Sequence, residues 1–274
     1  MAREANVGAT FSEAMDEASV ESSGNFALSK NSDGSSVAAI VTYDPATKKA
    51  TLNPDAPLDP QATYTATIKG GTGGVKDFSG NLLAEDKVWS LTTTLPCTIT
   101  GTSSAETLTG TTGDDVICAG AGNDTVQALE GNDTVKGEGG ADQLHGGIGD
   151  DRLDGGLGTD TANFTGALAA ISASLAEGTA TGEGSDTFSG VENLIGSNQA
   201  DTLTGSEANN TLNSGNGVDS IIGLAGADRL LGVGGNDTLD SRDGVEGNHT
   251  LDGGGGTDAC TTDATELSIV GCER

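Results

Sequence analysis

The sequence predicts an all-β chain in two parts, an antiparallel β-sandwich over residues 1–95 followed by a parallel β-solenoid in two blocks. Three observations carry this reading. Before residue 96, short runs of Thr, Val and Tyr alternate and are broken by Asn, Asp, Pro and Gly, the pattern of half-buried antiparallel strands. From Gly101 to Asn163 the chain repeats every nine residues, a glycine-rich hexad followed by a short apolar triplet. The same period resumes at Gly196.

In the first region, ATYTATIKG places Tyr64, Ala66 and Ile68 on one face of a strand and the threonines on the other. VAAIVTYDPATKKATLNP reads as a hairpin with its turn at Asp44 to Lys48, and KVWSLTT as a closing strand. The segments ATFSEAMD, LDPQATYTATI and VKDFSGNLLAEDKVWSLTT resemble the bacterial Ig-like domain common in surface proteins, over residues 6 to 94. LDPQATY is similar to a tyrosine corner, in which the Tyr64 hydroxyl ties back to nearby backbone. In that family a first strand precedes the ATFSEAMD segment by several residues, and here only MAREANVG stands before it. A truncated first strand, or a chain that is part of a larger one, is therefore expected.

Cut from residue 101, the first block (residues 96–163) reads GTSSAETLT, GTTGDDVIC, AGAGNDTVQ, ALEGNDTVK, GEGGADQLH, GGIGDDRLD and GGLGTDTAN. Place six holds Glu106, Asp115, Asp124, Asp133, Asp142, Asp151 and Asp160; place eight holds Leu108, Ile117, Val126, Val135, Leu144, Leu153 and Ala162. A low-complexity linker has no reason to keep an aliphatic residue two places after each acid. Two such units make one coil, and successive coils lie about 4.8 Å apart. Each place-six carboxylate then lies nearest the one eighteen residues on, pairing Asp115 with Asp133, Asp124 with Asp142, Asp133 with Asp151 and Asp142 with Asp160. The second block (residues 196–274) carries Asp201, Asn210, Asp219, Asp228 and Asp237 at place six. After the insertion Ser241 to Asp243, the frame resumes with His249 and Asp258. Between the blocks, residues 164–195 abandon the nonapeptide. AAISASLA and DTFSGVENLIG are expected to continue the parallel stack as broader strands, with Phe164, Leu175, Phe188 and Leu194 as a bulkier core.

These units resemble the nonapeptide G-G-x-G-x-D-x-U-x of RTX proteins. The resemblance implies a calcium-bound parallel β-roll that holds several Ca2+ ions. Its ligand places fall on Asp115, Asp124, Asp133, Asp142, Asp151, Asp160, Asp201, Asp219, Asp228, Asp237 and Asp258. The residue chemistry agrees. Stacked carboxylates repel without a counterion, and Ca2+ accepts roughly six to eight oxygen ligands. Oxygen donors with no run of His or Cys favour a hard cation, and many flexible carbonyls favour Ca2+ over Mg2+. Asn210 still offers a carbonyl oxygen, whereas His249 is a poor calcium ligand whose site is expected to be weak or empty. Glu106, longer than Asp by a methylene, is expected to begin the stack.

The formal charge is −29, from 41 acidic and 12 basic residues. Residues 1–96 carry 12 acids and 7 bases, net −5, so the repeat half carries net −24. Such a charge works against nucleic-acid binding and against unassisted docking on anionic lipid. No stretch reaches the roughly 18 apolar residues of a membrane helix, so no membrane insertion is expected. A core of one aliphatic side chain per nine residues should not offset the ordering of so much glycine. The repeat half is therefore expected to be largely disordered without calcium and to fold on binding it.

Cys97 precedes the first repeat, Cys118 closes the second, and Cys260 and Cys272 lie near the end of the chain. Local pairing would staple each end of the solenoid, where a terminal coil lacks a neighbour. Three connectivities remain open at this stage, as do four free thiols. A calcium-dependent fold belongs to an exterior compartment, which suits disulfides.

HExxH and G-x-S-x-G are both absent, which removes the metalloprotease and lipase signatures. His145, at the last place of a repeat, reads as a solvated side chain, and the acid pairs Asp114–Asp115 and Asp150–Asp151 as turn and calcium residues. The expected function is non-enzymatic: an extracellular calcium-binding protein, secreted or at the cell surface, that attaches to a surface or matrix ligand. The alternative is the accessory tail of a secreted hydrolase whose catalytic domain lies outside this chain. MAREANVGATFSEAM contains no apolar signal-peptide core. Cysteine is unusual in RTX chains exported through a C-terminal signal, so a general secretory route is expected.

Overall fold

The computed structural model describes residues 6–245, 247–264 and 266–273. It is nearly all β and divides into two units, Met1–Pro96 and Cys97–Arg274. The first unit contains strands β1 (Val7–Thr10), β2 (Phe26–Lys30), β3 (Ala39–Asp44), β4 (Lys49–Pro54), β5 (Thr63–Ile68) and β6 (Lys87–Thr92), with a short helix α1 (Glu17–Val20). Two three-stranded antiparallel sheets result, in the orders β1-β4-β3 and β2-β5-β6. Alternation decides which face is buried. Tyr64, Ala66 and Ile68 are buried, whereas Thr63, Thr65 and Thr67 remain partly exposed. The β3–β4 turn is tied by Asp44, whose carboxylate accepts from the Ala46 N–H (2.9 Å) and the Thr47 hydroxyl (2.6 Å). Lys48 closes it at φ 57°. The corner expected at Tyr64 forms, since its hydroxyl accepts the Asp59 N–H at 2.9 Å. Strand β1 overlaps the first residues of the ATFSEAMD segment and pairs with β4 from Val7↔Leu52 to Thr10↔Lys49.

The second unit is a β-solenoid of about nine turns over residues 99–270. Alternate nonapeptides feed two parallel sheets. One runs from Thr107–Thr109 through Thr125–Gln127 and Gln143–His145 to Ser268–Val270; the other includes Val116–Cys118, Thr134–Lys136 and Arg152–Asp154. Within the uninterrupted repeats partners are eighteen residues apart, as in Val126↔Leu144, Val135↔Leu153 and Leu203↔Ile221, and the insertion after Asp240 lengthens the step, as in Leu230↔Leu251. Place-eight side chains from Ile117 to Leu251 point between the sheets and are fully or almost fully buried. Each sheet contributes one such row to the core. At Ser268–Val270, the last strand of its sheet, Ile269 is 43% exposed.

In the region between the blocks Phe164 and Leu194 join the core, with Leu175 and Phe188 packed against it, and the strands within AAISASLA and DTFSGVENLIG pair parallel with the solenoid, but an unforeseen strand, Thr179–Thr181, is inserted between them. Ser172–Ser174, Thr179–Thr181 and Ser185–Ser189 form an antiparallel excursion within one sheet. Its outer strands rejoin the parallel ladder at Arg152↔Thr187 and Ser172↔Thr202. A tight turn at Gly178 (φ 67°) reverses the chain where the nonapeptide would have carried it to the opposite sheet.

Both local disulfides form, Cys97–Cys118 and Cys260–Cys272, with Cα separations of 5.8 and 5.7 Å. No free cysteine occurs among the described residues. Among them, too, no helix is long and apolar enough to cross a membrane.

Candidate metal centre

Because place eight points inward, place six falls at the junction of turn and strand, also facing inward. All the place-six aspartates are buried, from 0% exposure at Asp160 to 7% at Asp115. The eighteen-residue pairing takes the form of a ladder. One carboxylate oxygen, Oδ1, accepts the main-chain N–H of the place-six residue one coil earlier. Asp133 accepts from Asp115 at 2.7 Å, Asp142 from Asp124, Asp151 from Asp133 and Asp160 from Asp142 at 2.8 Å each. In the second block Asp219 accepts from Asp201 (2.8 Å), Asp237 from Asp219 (2.9 Å) and Asp258 from Asp237 (2.8 Å).

The ladder contains acids that the nonapeptide frame does not reach. Asp186 accepts the Asp151 N–H (3.0 Å) and Glu192 the Asp160 N–H (2.8 Å), carrying it into the intervening region. At the far end Glu266 accepts from the His249 N–H (3.0 Å), and Glu273 from the Asp258 N–H. Asp186 and Glu192 each precede an inward apolar residue, Phe188 and Leu194, by two places. That acid-x-apolar spacing was the signal available in the sequence. Glu266 and Glu273 lie off the frame and offer none.

The second oxygen divides the turns. Oδ2 of Asp124, Asp133, Asp142, Asp151, Asp160, Asp219, Asp228, Asp237 and Asp258 is buried and has no hydrogen-bond partner among the described residues. An anionic oxygen in that position demands a proton or a cation. The protonation equilibria reflect the same demand: burial pushes the carboxyls of Asp133, Asp142, Asp160, Asp219 and Asp237 above their ordinary value. It drives Asp151 up to about 7, and Asp228 and Asp186 to about 6.

The turns around these oxygens are built to bring main chain close. Place two is left-handed in each of the nine, at Gly120, Leu129, Glu138, Gly147, Gly156, Gly215, Leu224, Val233 and Gly254. Four of those residues are not glycine, a strained conformation for an L side chain. At place four, a methyl group on Gly140, Gly158 or Gly235 would overlap the carbonyl of Gly122, Gly140 or Gly217 one coil below. Carbonyl oxygens thus stack beside the carboxylates. Among the described residues, no three Asp, Glu, His or Cys side chains converge as a metal cluster. An ion held here would draw most of its oxygens from the main chain, a donor set that suits a hard cation.

Asp115 and Asp201, expected to stand with the other nine, differ from them. Asp115 Oδ2 accepts from the Thr111 N–H (2.7 Å) and hydroxyl (2.9 Å), and its Oδ1 from the Thr98 hydroxyl (3.0 Å). The Thr111 N–H is the main reason its pKa lies below the ordinary carboxylate value. Asp201 Oδ2 accepts from the Ser197 N–H (2.5 Å) and hydroxyl (3.0 Å). The carbonyl oxygen expected of Asn210 is likewise taken by the Ser206 N–H (2.7 Å) and hydroxyl (3.1 Å). Glu106 is held by the N–H and hydroxyl of Thr102. His249 is fully buried; its Nδ1 accepts the Asp228 N–H at 3.1 Å, and its Nε2 lies 3.5 Å from Asp243 Oδ2. The imidazole replaces the structural oxygen of the ladder without supplying the second one. His145, read as solvated, is partly buried, and burial lowers its pKa.

The bacterial Ig-like domain model matches residues 1–93. The RTX calcium-binding nonapeptide repeat matches in four copies, at residues 100–135, 127–162, 186–221 and 214–245. No curated protein matches the chain. Both families are typically non-catalytic and secreted or surface-associated, and nonapeptides of this type are known calcium-binding motifs. The chain thus joins a segment matched by the bacterial Ig-like domain to a solenoid that carries four matches to the RTX calcium-binding nonapeptide repeat.

Proposed function

We propose that the solenoid is an extracellular calcium-dependent structural module, secreted or displayed at a cell surface, with the Ig-like domain as its spacer or binding head. The observation that carries this reading is the set of nine buried Asp Oδ2 atoms without a donor, ranked along the coils from Asp124 to Asp258. Those aspartates, together with turn carbonyls, would hold the ions. Bound Ca2+ would supply the positive charge that buried carboxylates lack. The carboxylate Oδ1 atoms tie each coil to its neighbour, so the residues that would hold the cations are the same ones that fix the stacking. Binding and folding are thereby coupled. A chain that stays unfolded at submicromolar calcium and rigidifies outside the cell fits an exported attachment or matrix component.

The test is circular dichroism during a Ca2+ titration, with Mg2+ and excess chelator as controls. A cooperative gain of β signal specific to Ca2+ and reversed by chelation is expected. A spectrum already rich in β and indifferent to calcium would overturn the proposal.

A further inference from the structure

Each block opens with two turns of a different construction. Their place-two residues are Thr102 and Thr111 in the first block, and Ser197 and Ser206 in the second. None of the four is left-handed, in contrast to the nine turns whose acid oxygen is unpartnered. In each, the place-two N–H and hydroxyl both bind the side chain at place six: Glu106, Asp115, Asp201 and Asn210. The same hydroxyl accepts the N–H of place four, from Ser104 (3.3 Å), Gly113 (3.3 Å), Gln199 (3.0 Å) and Ala208 (3.2 Å). The hydroxyl therefore occupies the position in the bonding pattern that remains unfilled in the other nine turns.

Gly113 shows which residue sets the conformation. It is a place-four glycine in GTTGDD, the same place at which Gly122, Gly131 and Gly140 are left-handed, yet Gly113 is not. With glycine at place four in both classes, the residue at place two selects the turn. Two consecutive units make one coil, so each block begins with one complete coil whose acids or amide are satisfied by the chain itself.

We propose that these two coils, residues 101–118 and 196–213, are cation-independent starter coils. They fold without calcium and offer a ready sheet edge on which the calcium-dependent coils assemble, and they contribute no metal site of their own. Calcium is then taken up from Asp124 onward in the first block and from Asp219 onward in the second. This rests on the calcium reading above and adds to it a rule: Ser or Thr at place two replaces the cation in that turn. The first starter coil is also closed by Cys97–Cys118, whereas the second has no disulfide, so the second isolates the hydroxyl effect.

The experiment uses the full chain. Hydrogen exchange with mass spectrometry in excess chelator reads which coils persist, and equilibrium dialysis against Ca2+ reads the ion count for the wild type, Gly215→Ser and Ser197→Gly. In chelator, amides of residues 196–213 are expected to exchange at least about tenfold more slowly than those of 214–240, as befits locally independent stability. Gly215→Ser is expected to bind fewer ions than wild type while keeping its β signal in calcium, since Gly113 shows that place four accommodates the closed turn. Ser197→Gly is expected to lose the protection of residues 196–213 in chelator and regain it with calcium. If the wild type binds calcium but its starter coils exchange as fast as the rest, or if Gly215→Ser keeps the full ion count, the starter-coil proposal falls and the calcium reading stands. If the wild type binds no calcium, the calcium reading itself falls.

Discussion

The sandwich and the solenoid bury different chemistry, and the difference shows what each needs in order to fold. The sandwich closes over Phe26, Tyr43, Tyr64 and Leu28, with Trp89 packed on Phe26 at a ring separation of 5.8 Å. Its structural acids sit at turns beside donors of the same chain, and their pKa values are lowered: Asp77 chiefly by the Asn81 side chain, Asp44 by Thr47 and Asp33 by Ser35. The solenoid has one aliphatic side chain per strand from each of its two sheets and a ladder of acids inside it, most of them with an oxygen that no group among the described residues satisfies. The first unit carries its own partners. On the reading proposed here, the second borrows them from solution.

The largest expected effect is therefore calcium removal, which should separate the two units. Trp89 is the only tryptophan in the chain and lies in the sandwich, so its emission reports that unit alone. Chelation is expected to remove most of the solenoid's far-ultraviolet β signal while leaving the Trp89 emission maximum in place. A tryptophan shift that tracks the loss of β signal would break the comparison, because it would mean the sandwich depends on the same ions.

Next in size is an opposite response to pH in chelator. Asp151 is raised to about 7 and Asp186 and Asp228 to about 6. A carboxyl whose folded pKa is raised favours the folded state below its ordinary value and loses that contribution as pH rises through the folded value. Calcium-free solenoid is thus expected to gain β signal as pH falls from about 7.5 to about 4.5. Calcium affinity should weaken over the same range, as protons compete for the same oxygens. Asp33, Asp44 and Asp77 work the other way: their contribution is present above the ordinary carboxyl value and is lost only as pH falls through the lowered one. Trp89-monitored stability should hold steady across the window in which the solenoid changes. A β signal that is flat with pH, or that falls in acid along with the tryptophan signal, would show that the buried oxygens are not the seat of the instability.

How much of this was legible in the sequence follows from periodicity. A strict nine-residue repeat fixes strand, turn, facing and partner at once, so the two-sheet solenoid and the eighteen-residue register could be read from residue positions, whereas the cysteine positions suggested local pairing without excluding the other connectivities. What could not be read was the use of each oxygen. The frame treats Asp115 and Asp124 alike, and only the conformation at Thr111 versus Gly120 separates a carboxylate bound by its own turn from one left bare. Where the period lapses, prediction weakened for the same reason. Asp186 kept the acid-x-apolar spacing with Gly182 and Gly184 before it, and Glu192 kept it with Gly190, but both fall outside the nine-residue frame, and the antiparallel excursion at Ser172–Ser189 reverses twice, at Gly178 and at Gly182–Gly184, with no counterpart in the repeats. In the sandwich, alternation and the LDPQATY segment located β3, β4, β5 and β6, because an alternating strand declares its buried face locally, whereas β2 and the short helix α1 were not read.

The smallest effect tests that local sufficiency. Tyr64→Phe removes the hydroxyl that accepts the Asp59 N–H and leaves the ring in the core. A single neutral hydrogen bond contributes about 1 kcal/mol net, and Asp59 is exposed enough for water to take up the freed N–H, so the loss should be about that or less. The same loop is held a second time by Thr93, whose hydroxyl donates to the Asp59 carbonyl at 2.5 Å and accepts the Ala62 N–H at 3.0 Å. Tyr64→Phe alone is therefore expected to lower the Trp89-monitored denaturation midpoint slightly. Adding Thr93→Val should lower it by more than the sum of the two single variants, since each tie covers for the other. Neither variant should move the calcium midpoint of the solenoid. If both midpoints fell together, the two units would share a cooperative transition, and the contrast between a self-sufficient core and a borrowed one would have to be given up.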